Sequence, residues 1–343
     1  MKELTGFLKD HYCLTVAGLE PVSRGKTTEK YRIRTDSGTY ILRIRSRGFR
    51  EDDIEADHRF MNHLHTHDFK VPRLIHSIDR ETRTFFQGKL IELQGYLDHD
   101  STLEDHSFQE VSHQVFDFLG RYHRVSSLYS DTVRKPDYLP GTTLPMGESA
   151  KYFQGPLKYG LPRYIDAADS LERPLGSRMK KDLKKLARLL ESIYEEYLRR
   201  QISWPELVCH NDFHGNNLLF NQGRIAGLVD FDFCRTGFYQ VDLVEALHGS
   251  AVWQEAEDGF LGMGEAGEIR AEKAVRDLGR YYRHNPDFPR DGRFLIRFLM
   301  AKLIGLLWYP GLDLVPETHD KIEALRRLKL LLANLEELHT LDA

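Results

Sequence analysis

The chain has 343 residues, of which 41% are hydrophobic and 29% are charged, a balance typical of a soluble globular protein. Its length fits one large domain or two lobes. The formal net charge of −4 excludes the strongly cationic surface that nucleic-acid binding requires, so no nucleic-acid partner is expected.

The cysteines and the apolar segments indicate a cytoplasmic protein. Cys13, Cys209 and Cys234 are odd in number and lack the CxxC spacing of a zinc site, which favours reduced thiols. The N-terminus lacks the apolar core and the cleavage site of a signal peptide. The longest apolar run, at residues 298–312, contains Lys302 and is too short to span a bilayer, so it predicts a buried helix and no membrane contact.

The first part of the chain predicts a short helix followed by an antiparallel sheet. Apolar residues at helical spacing indicate a helix over residues 2–11. Alternating apolar side chains predict three strands, over residues 19–22, 31–35 and 39–45. The polar loop at residues 23–30 holds a single glycine, which is a weak phosphate-binding signal, and an ordinary hairpin explains it equally well.

A cation and an acid are expected to meet beside this sheet. Arg43 lies between Leu42 and Ile44, which face the other side of the strand, and an inward-facing cation requires a carboxylate or a phosphate. The helix predicted over residues 52–66 carries Asp57 on its apolar stripe, so Asp57 is expected to pair with Arg43. The alternatives are a snorkelling surface arginine and an aspartate that caps the helix or faces solvent.

Two more strands, over residues 84–87 and 89–94, complete the predicted sheet, and the pattern breaks at Gly95. We therefore predict an N-terminal lobe at residues 1–97 and a C-terminal lobe at residues 98–343. The fold class is α+β, with a small antiparallel sheet followed by a large helical part.

The C-terminal lobe is predicted to begin with an amphipathic helix over residues 108–128. Residues 134–177 are rich in proline and glycine, and they form either a lid over an acceptor or a packed insertion without a ligand. A strong helix follows at residues 178–200. Later helices are predicted near residues 241–249, 269–285, 291–309 and 316–338. An acidic stretch from Glu255 to Glu268 indicates either attraction of an amine or a solvated loop face.

The most informative stretch spans residues 208–242. Asp212 and Asn217 lie five residues apart within HNDFHGNN, while Asp230 ends an apolar run and Asp232 follows it. Carboxylates beside hydrophobic strands are costly unless a metal ion or a phosphate binds them. The pattern His-x-Asp-x-x-x-x-Asn, followed by a hairpin and Asp-Phe, is typical of a kinase catalytic loop and its metal-binding aspartate.

These motifs resemble the aminoglycoside phosphotransferase and choline kinase superfamily, which has a two-lobed protein-kinase-like fold. The similarity extends over most of the chain, through YILRIR, IEADHRFMNHL, FLGRYHR, HNDFHGNN and VDFDF. The segment FDFCRTGFYQVDL is most similar to the type II homoserine kinase branch. The resemblance implies a monomer or homodimer that transfers the γ-phosphate of ATP to a hydroxyl of an amino alcohol, amino acid, sugar or aminoglycoside-like acceptor.

Within the catalytic stretch, the resemblance assigns a chemical role to four side chains. Asp212 would orient the acceptor hydroxyl and accept its proton. Asn217 and Asp230 would hold Mg²⁺, a hard cation that prefers oxygen ligands. Asp232 would either assist a second Mg²⁺ or face water.

On the nucleotide side, Arg43 fixed by Asp57 would bind the α- and β-phosphates. By chain order, the backbone near Leu93 and Tyr96 would hydrogen-bond the adenine edge. His210 is expected to pack under the catalytic loop, and Asp242 is expected to hold that loop from below.

The chain also departs from the superfamily pattern. Asn211 stands where a glycine is more usual. His214 lies inside the catalytic loop, where a structural role is favoured over contact with the acceptor.

Two other functions are compatible with such a fold. A non-catalytic nucleotide-binding or scaffold protein would bind ATP without transferring phosphate, but the presence of the base and metal positions argues against it. A protein Ser/Thr kinase would carry an A-P-E segment and a long activation loop, and the chain has neither between Asp230 and Asp242.

Overall fold

The N-terminal part of the chain is an antiparallel sheet with a helix on either side. A computed structural model of the protein describes residues 2–24, 28–45, 50–106, 108–136, 149–169, 175–213, 215–251 and 271–306. The sheet contains β1 Val16–Arg24, β2 Thr28–Thr35, β3 Gly38–Arg45, β4 Leu74–Ile75, β5 Thr84–Phe86 and β6 Lys89–Gly95. The first three strands pair in chain order, β6 pairs with β3, and β4 and β5 both pair with β6.

The alternation of side chains along β3 separates an apolar face from a charged face. Leu42 and Leu93 are directly opposite each other in β3 and β6 and are buried against the helix α1, Lys2–Tyr12. Arg43 and Glu92 form the next pair in this register and face the other side. The prediction that Arg43 lies on the opposite face from its neighbours is confirmed, and this charged face is directed at the C-terminal part of the chain.

The second helix, α2 Glu51–Thr66, packs into the core of the C-terminal part as well as over the sheet. The ring of Phe60 lies edge-on to Tyr122 at 6.2 Å and to Phe231 at 6.4 Å between ring centroids. The buried face of α2 includes Asp57, as its position on the apolar stripe predicted. Because the core is continuous across the two parts, the buried side chain of Asp57 on α2 faces residues of the C-terminal part.

The C-terminal part is mainly helical. Its helices are α3 Phe108–Ser126, α4 Leu161–Asp169, α5 Leu175–Arg200, α6 Gln240–Ala251, α7 Ala271–His284 and α8 Gly292–Leu306. Its short strands are β7 Ser101–Thr102, β8 Glu206–Cys209, β9 Leu218–Asn221, β10 Arg224–Leu228 and β11 Arg235–Phe238. The strands form two small sheets, with orders β10-β9-β7 and β11-β8. No helix in the described ranges combines the length and apolarity needed to cross a bilayer.

The predicted insertion is packed where the structure describes it. Residues 150–160 are π-helical apart from Gly155, and they lead directly into α4. Tyr152, Phe153 and Tyr164 are buried in the main core. Of the two alternatives for this segment, the described part fits a packed insertion that also reaches the catalytic loop. The acidic stretch Glu255–Glu268 and the helix predicted over residues 316–338 lie outside the described residues.

The connection between the two parts follows Gly95. The N–H of Tyr96 donates to the carbonyl of Thr39 at 3.2 Å, so residue 96 is still attached to the N-terminal sheet. Ser101 pairs with Phe220 in β9 and belongs to the C-terminal part. The boundary at residue 97 lies between these two attachments and stays a prediction.

Candidate active site

The proposed catalytic loop begins where β8 ends and is closed by a side-chain contact across it. The amide of Asn217 donates to the Oδ2 atom and to the carbonyl oxygen of Asp212, each at 2.9 Å. Asp212 is half-buried, while Asn217 is buried. The five-residue spacing in the sequence thus places the two side chains in direct contact, and Asn217 orients the carboxylate of Asp212.

A buried carboxylate holds this loop from below, as predicted. Asp242 accepts backbone N–H groups from His210 and Asn211, each at 2.8 Å. His123 of α3 lies 3.0 Å from the same carboxylate. Asn211 has a φ of 60°, a left-handed conformation that asparagine adopts more readily than most residues. This conformation explains why asparagine serves where a glycine is more usual.

Asp242 also belongs to the one group of potential metal ligands found among the described residues. Ligand atoms of His123, Cys209 and Asp242 lie within 4.8 Å of one another. Both carboxylate oxygens already accept backbone N–H groups of the catalytic loop, so this cluster is structural support for the loop.

His210 has the structural role that the sequence indicated. Its Nε2 donates to the carbonyl of Val229 at 3.0 Å, and its ring lies edge-on to Phe231 at 5.0 Å. Burial lowers the pKa of His210, which favours the neutral ring. The side chain therefore joins the catalytic loop to the turn that carries Asp230. His214 lies outside the described residues.

The turn after β10 presents two aspartates to the charged face of the sheet. Asp230 has a left-handed φ of 67°, and its side chain is 21% exposed. Its carboxylate lies 2.6 Å from the Nζ atom of Lys30 and 3.0 Å from Nη2 of Arg43. Neither Lys30 nor its contact was predicted, because the sequence placed Lys30 in the polar loop at residues 23–30, whereas the structure includes it in β2.

Asp232 is buried instead of facing water. It lies 2.7 Å from Arg43 and 2.7 Å from Arg45, and it accepts a hydrogen bond from the hydroxyl of Thr28 at 3.2 Å. Burial by itself raises the pKa of Asp232, but the two guanidinium groups outweigh it and hold the pKa below its ordinary value. The alternative of a water-facing carboxylate was wrong, because the charged face of the sheet covers this side chain.

The predicted ion pair between Arg43 and Asp57 is also wrong. Arg43 pairs with Glu92, its cross-strand neighbour in β6, at 3.0 Å. Asp57 pairs with Lys135 at 2.7 Å and accepts from the thiol of Cys234 at 3.2 Å. The reason is that α2 packs into the C-terminal core, so the acid on its buried face meets a C-terminal cation.

Lys135 connects α2 to the turn that carries Asp230 and Asp232, called the aspartate turn below. Lys135 was not identified from the sequence. Its Nζ atom donates to Asp57 and also to the backbone carbonyls of Phe231 at 3.3 Å and Asp232 at 2.8 Å. Burial by itself lowers the pKa of Lys135, but the Asp57 carboxylate outweighs it and raises the pKa. A single lysine before a proline gives no signal of such a role in the sequence.

Leu93 does not face the cleft between the two parts. It is fully buried in β6, paired with Leu42 on one side and Ile75 on the other, and it packs in the apolar cluster beneath α1. Because β6 is paired at Leu93 with both β3 and β4, the backbone N–H and C=O of Leu93 face neighbouring strands, and the predicted backbone contact with adenine does not fit this position. Tyr96 follows the end of the strand, where the chain leaves the sheet.

A second charged cluster lies beside the catalytic loop. Glu245 of α6 pairs with Lys151 at 2.9 Å and with Lys302 of α8, and it accepts a hydrogen bond from Tyr152. Lys151 also donates to the carbonyl of Asn211 at 3.3 Å, next to Asp212. Burial by itself raises the pKa of Glu245, but the two lysines outweigh it and hold the pKa well below its ordinary value.

The donor set fits a magnesium ion. Asp230 and Asn217 offer oxygen atoms, and the backbone N–H of Val229, beside Asp230, donates to the carbonyl of Asn217 at 2.9 Å. The partly exposed Asp230 carboxylate already draws two cationic side chains. Oxygen ligands from carboxylate and amide groups are what Mg²⁺ prefers in a protein.

Known proteins of similar sequence and structure are phosphotransferases. The homoserine kinase of Chelativorans sp. (strain BNC1) is 24% identical over 330 residues, covering 96% of this chain and 92% of that protein. A microcompartment-associated aminopropanol kinase superposes with a TM-score of 0.61 at 15% identity, covering 99% of this chain and 97% of that one. Spectinomycin phosphotransferase, solved with ADP and spectinomycin, superposes with a TM-score of 0.58 at 14% identity, covering 98% and 96%.

The superposed structures confirm the predicted protein-kinase-like fold, and the match to a family model confirms the predicted superfamily. Residues 18–284, well over half of the chain, match the family described as the phosphotransferase enzyme family. The chain therefore belongs to the phosphotransferase enzyme family.

Proposed function

We propose that this phosphotransferase moves the γ-phosphate of ATP to the hydroxyl of a small hydroxy amino acid. The observation that carries the proposal is the contact between Asp212 and Asn217, beside the turn that presents Asp230. The residues that we propose as the base and as the metal ligands lie on adjoining segments. The ADP bound to the similar spectinomycin phosphotransferase supports the use of an adenine nucleotide.

In this proposal, Asp212 accepts the proton of the acceptor hydroxyl, and Asn217 keeps its carboxylate aimed at that hydroxyl. Asn217 and Asp230 would hold Mg²⁺, which supplies neutralisation of the charge on the phosphate oxygens. A ligand role for Asp232 would require a guanidinium group to leave its buried carboxylate. We therefore assign Asp232 to positioning Arg43 and Arg45.

The nucleotide would lie between the charged face of the sheet and the aspartate turn. Arg43, held by Glu92, would keep the phosphate side of this cleft positive. Asp57 would act at a distance, through Lys135, by fixing the carbonyls of the aspartate turn. The adenine edge would meet the chain at Tyr96, after the sheet ends, and not at Leu93.

The charges beside Asp212 support an acceptor that carries an anionic group. Lys151 and Lys302 outnumber Glu245 in the cluster next to Asn211, so an anionic group on the acceptor is favoured there. Glu245 is itself buried and paired with both lysines. Homoserine carries a carboxylate, an ammonium and a hydroxyl, and the relative of similar sequence is named homoserine kinase.

The same proposal includes a cytoplasmic location, where ATP and reducing conditions are found. It also includes a monomer or homodimer that contacts neither nucleic acid nor membrane.

An ADP-release assay with L-homoserine, 3-aminopropan-1-ol, choline and spectinomycin tests the proposal. We expect homoserine to give the highest kcat/KM and Asp212→Asn to lower kcat by about 10²- to 10⁴-fold, because a positioned base contributes that much. Chelation of Mg²⁺ with EDTA should abolish turnover. Asp131→Asn, at an exposed position away from the loop, is the matched control and should retain wild-type kcat. The proposal fails if no acceptor raises ADP release above the acceptor-free rate, or if Asp212→Asn is as active as wild type.

A further inference from the structure

Four side chains form a square on the cleft face of β2 and β3. Thr28 lies opposite Arg45 in the strand register, and Lys30 lies opposite Arg43. Residues two apart on a strand share a face, so all four point to the same side. Thr28 and Arg45 contact Asp232, Lys30 contacts Asp230, and Arg43 contacts both aspartates. The aspartate turn thus meets two arginines and one lysine that differ in their surroundings.

Both terminal nitrogens of the Arg43 guanidinium lie beside carboxylates within the protein. Its guanidinium group lies within 3.0 Å of Glu92, Asp230 and Asp232, and its side chain is only 3% exposed. Moving it to a phosphate would take from each of these carboxylates one of its two cationic partners, and Glu92 and Asp232 are buried. Arg43 therefore behaves as a structural cation that holds β3, β6 and the aspartate turn together.

Lys30 has the opposite character. Its side chain is 22% exposed, and among the described residues its one ion pair is with Asp230, at 2.6 Å. Asp230 is itself 21% exposed, so this pair borders the open part of the cleft. An ammonium on a flexible four-carbon stem changes partner at a lower cost than a buried, planar guanidinium.

We propose that Lys30 on β2 is a cation that binds the nucleotide phosphates directly. This inference rests on the proposed function. Lys30 and Mg²⁺ compete for the Asp230 carboxylate, because two cations at one carboxylate repel each other. When Mg²⁺ and nucleotide bind together, Lys30 exchanges Asp230 for a phosphate oxygen, and no bond is made or broken in the protein.

This exchange gives Lys30 two effects of opposite sign, which a purely structural lysine would not have. Without nucleotide, Lys30 occupies the metal ligand and weakens the binding of Mg²⁺. With nucleotide, Lys30 adds a charge-assisted hydrogen bond to the phosphates and strengthens the binding of the complex.

Calorimetric titration of the full chain tests this inference, first with Mg²⁺ alone and then with Mg²⁺ and a non-hydrolysable ATP analogue. For Lys30→Met, we expect the Kd of the Mg²⁺–analogue complex to rise about 10- to 100-fold, the loss of one hydrogen bond to a charged group. The Kd of Mg²⁺ alone should stay the same or fall. Lys30→Arg retains a cation and should recover most of the analogue binding.

Lys89→Met is the matched control, because Lys89 lies on β6 of the same sheet, is exposed and pairs with Glu29 at 3.1 Å. It should bind both ligands as wild type does. Equal analogue binding by wild type and Lys30→Met, or weaker binding of Mg²⁺ alone by Lys30→Met, would overturn the inference. If wild type itself binds no Mg²⁺–analogue complex, the proposed function fails instead. Should Lys30→Met not fold, Lys30→Gln replaces it.

Discussion

Buried carboxylates near the cleft and the catalytic loop are each held by cations from other elements. Glu92 is fully buried and pairs with Arg43 and Arg45, each at 3.0 Å, and with His58 at 3.1 Å. Burial by itself raises the pKa of Glu92, but Arg45 and Arg43 outweigh it and hold the pKa well below its ordinary value. Such a carboxylate stabilises the fold only while it is ionised, so these clusters make stability depend on pH.

His248 provides the clearest pH test at this scale. Burial first, and then repulsion from Lys302, lower the pKa of His248 to about 3. The unfolded chain protonates this ring near pH 6.5, whereas the folded chain does not, so stability falls as the pH drops from about 6.5 towards 3. For His248→Gln, we expect a smaller loss of unfolding free energy on acidification, by about 1.4 kcal/mol per pH unit below roughly pH 6.

Urea denaturation of wild type and His248→Gln at pH 7.5, 6 and 5 measures this difference. Asp57 acts in the opposite direction, because burial raises its pKa to about 6 despite the opposing charges of Lys135 and Arg45. Ionisation of Asp57 therefore lowers the unfolding free energy as the pH rises from about 4 towards 6. Asp57 is present in both proteins, so its effect cancels in the comparison. Parallel pH profiles for the two proteins would contradict the prediction.

At the scale of elements, close contacts between backbones position the site. The hairpin of β9 and β10 lies against the chain after α2, where the N–H of Leu228 donates to the carbonyl of Lys70 at 3.0 Å. At Gly227, a Cβ atom would lie 2.8 Å from that same carbonyl, so only glycine allows this approach. The hairpin ends two residues before Asp230, and this contact therefore sets where the aspartate turn begins.

Two glycine-to-alanine substitutions where α3 packs on α7 are predicted to change the unfolding free energy in opposite directions. A Cβ atom on Gly120 would lie 2.9 Å from the carbonyl of Tyr281, so Gly120→Ala should lower the unfolding free energy by about 1–3 kcal/mol through overpacking. Gly279 lies on an exposed part of α7, where a Cβ atom would have no neighbour within 4 Å, so Gly279→Ala should raise it by up to about 1 kcal/mol. Thermal unfolding of both variants checks the signs, and a stabilising Gly120→Ala would contradict the close approach.

At the scale of the whole molecule, ion pairs between the N-terminal sheet and helix and the C-terminal part cross the cleft. Lys30, Arg43 and Arg45 reach the aspartate turn from the sheet, and Asp57 on α2 receives Lys135 from the C-terminal part. The last of these is buried on both sides and lies next to the shared apolar core. It therefore contributes to holding the two parts in one arrangement.

Removal of Lys135 tests that connection. Lys135→Met leaves Asp57 buried without its cation and should lower the unfolding free energy by about 3–5 kcal/mol. Asp57→Leu combined with Lys135→Met removes both charges and should recover part of the loss. Lys185→Met is the control, because its ion pair with Asp182 is on the surface at 3.9 Å and should cost less than about 1 kcal/mol. Urea denaturation measures all three, and a loss below about 1 kcal/mol for Lys135→Met would contradict the role given to it.

Local sequence patterns were sufficient to predict the main strands of the N-terminal sheet, the long helices and the chemical motif, but not the short strands of the C-terminal part. The strand alternation predicted Arg43 on the opposite face of the sheet from Leu42 and Ile44. The apolar stripe of α2 predicted Asp57 on the buried side of that helix. The spacing of Asp212 and Asn217 brought their side chains into contact because both lie on one short loop. These features depend on the local periodicity of the backbone, which can be read directly from the order of residues.

Which charges meet depended on the tertiary structure alone. Arg43 pairs with Glu92 because strand register sets them side by side, and Asp57 pairs with Lys135 because α2 shares its core with the C-terminal part. Lys30 contacts Asp230 across 200 residues of sequence. Periodicity tells which face a side chain occupies, but the partner on that face depends on how distant elements pack.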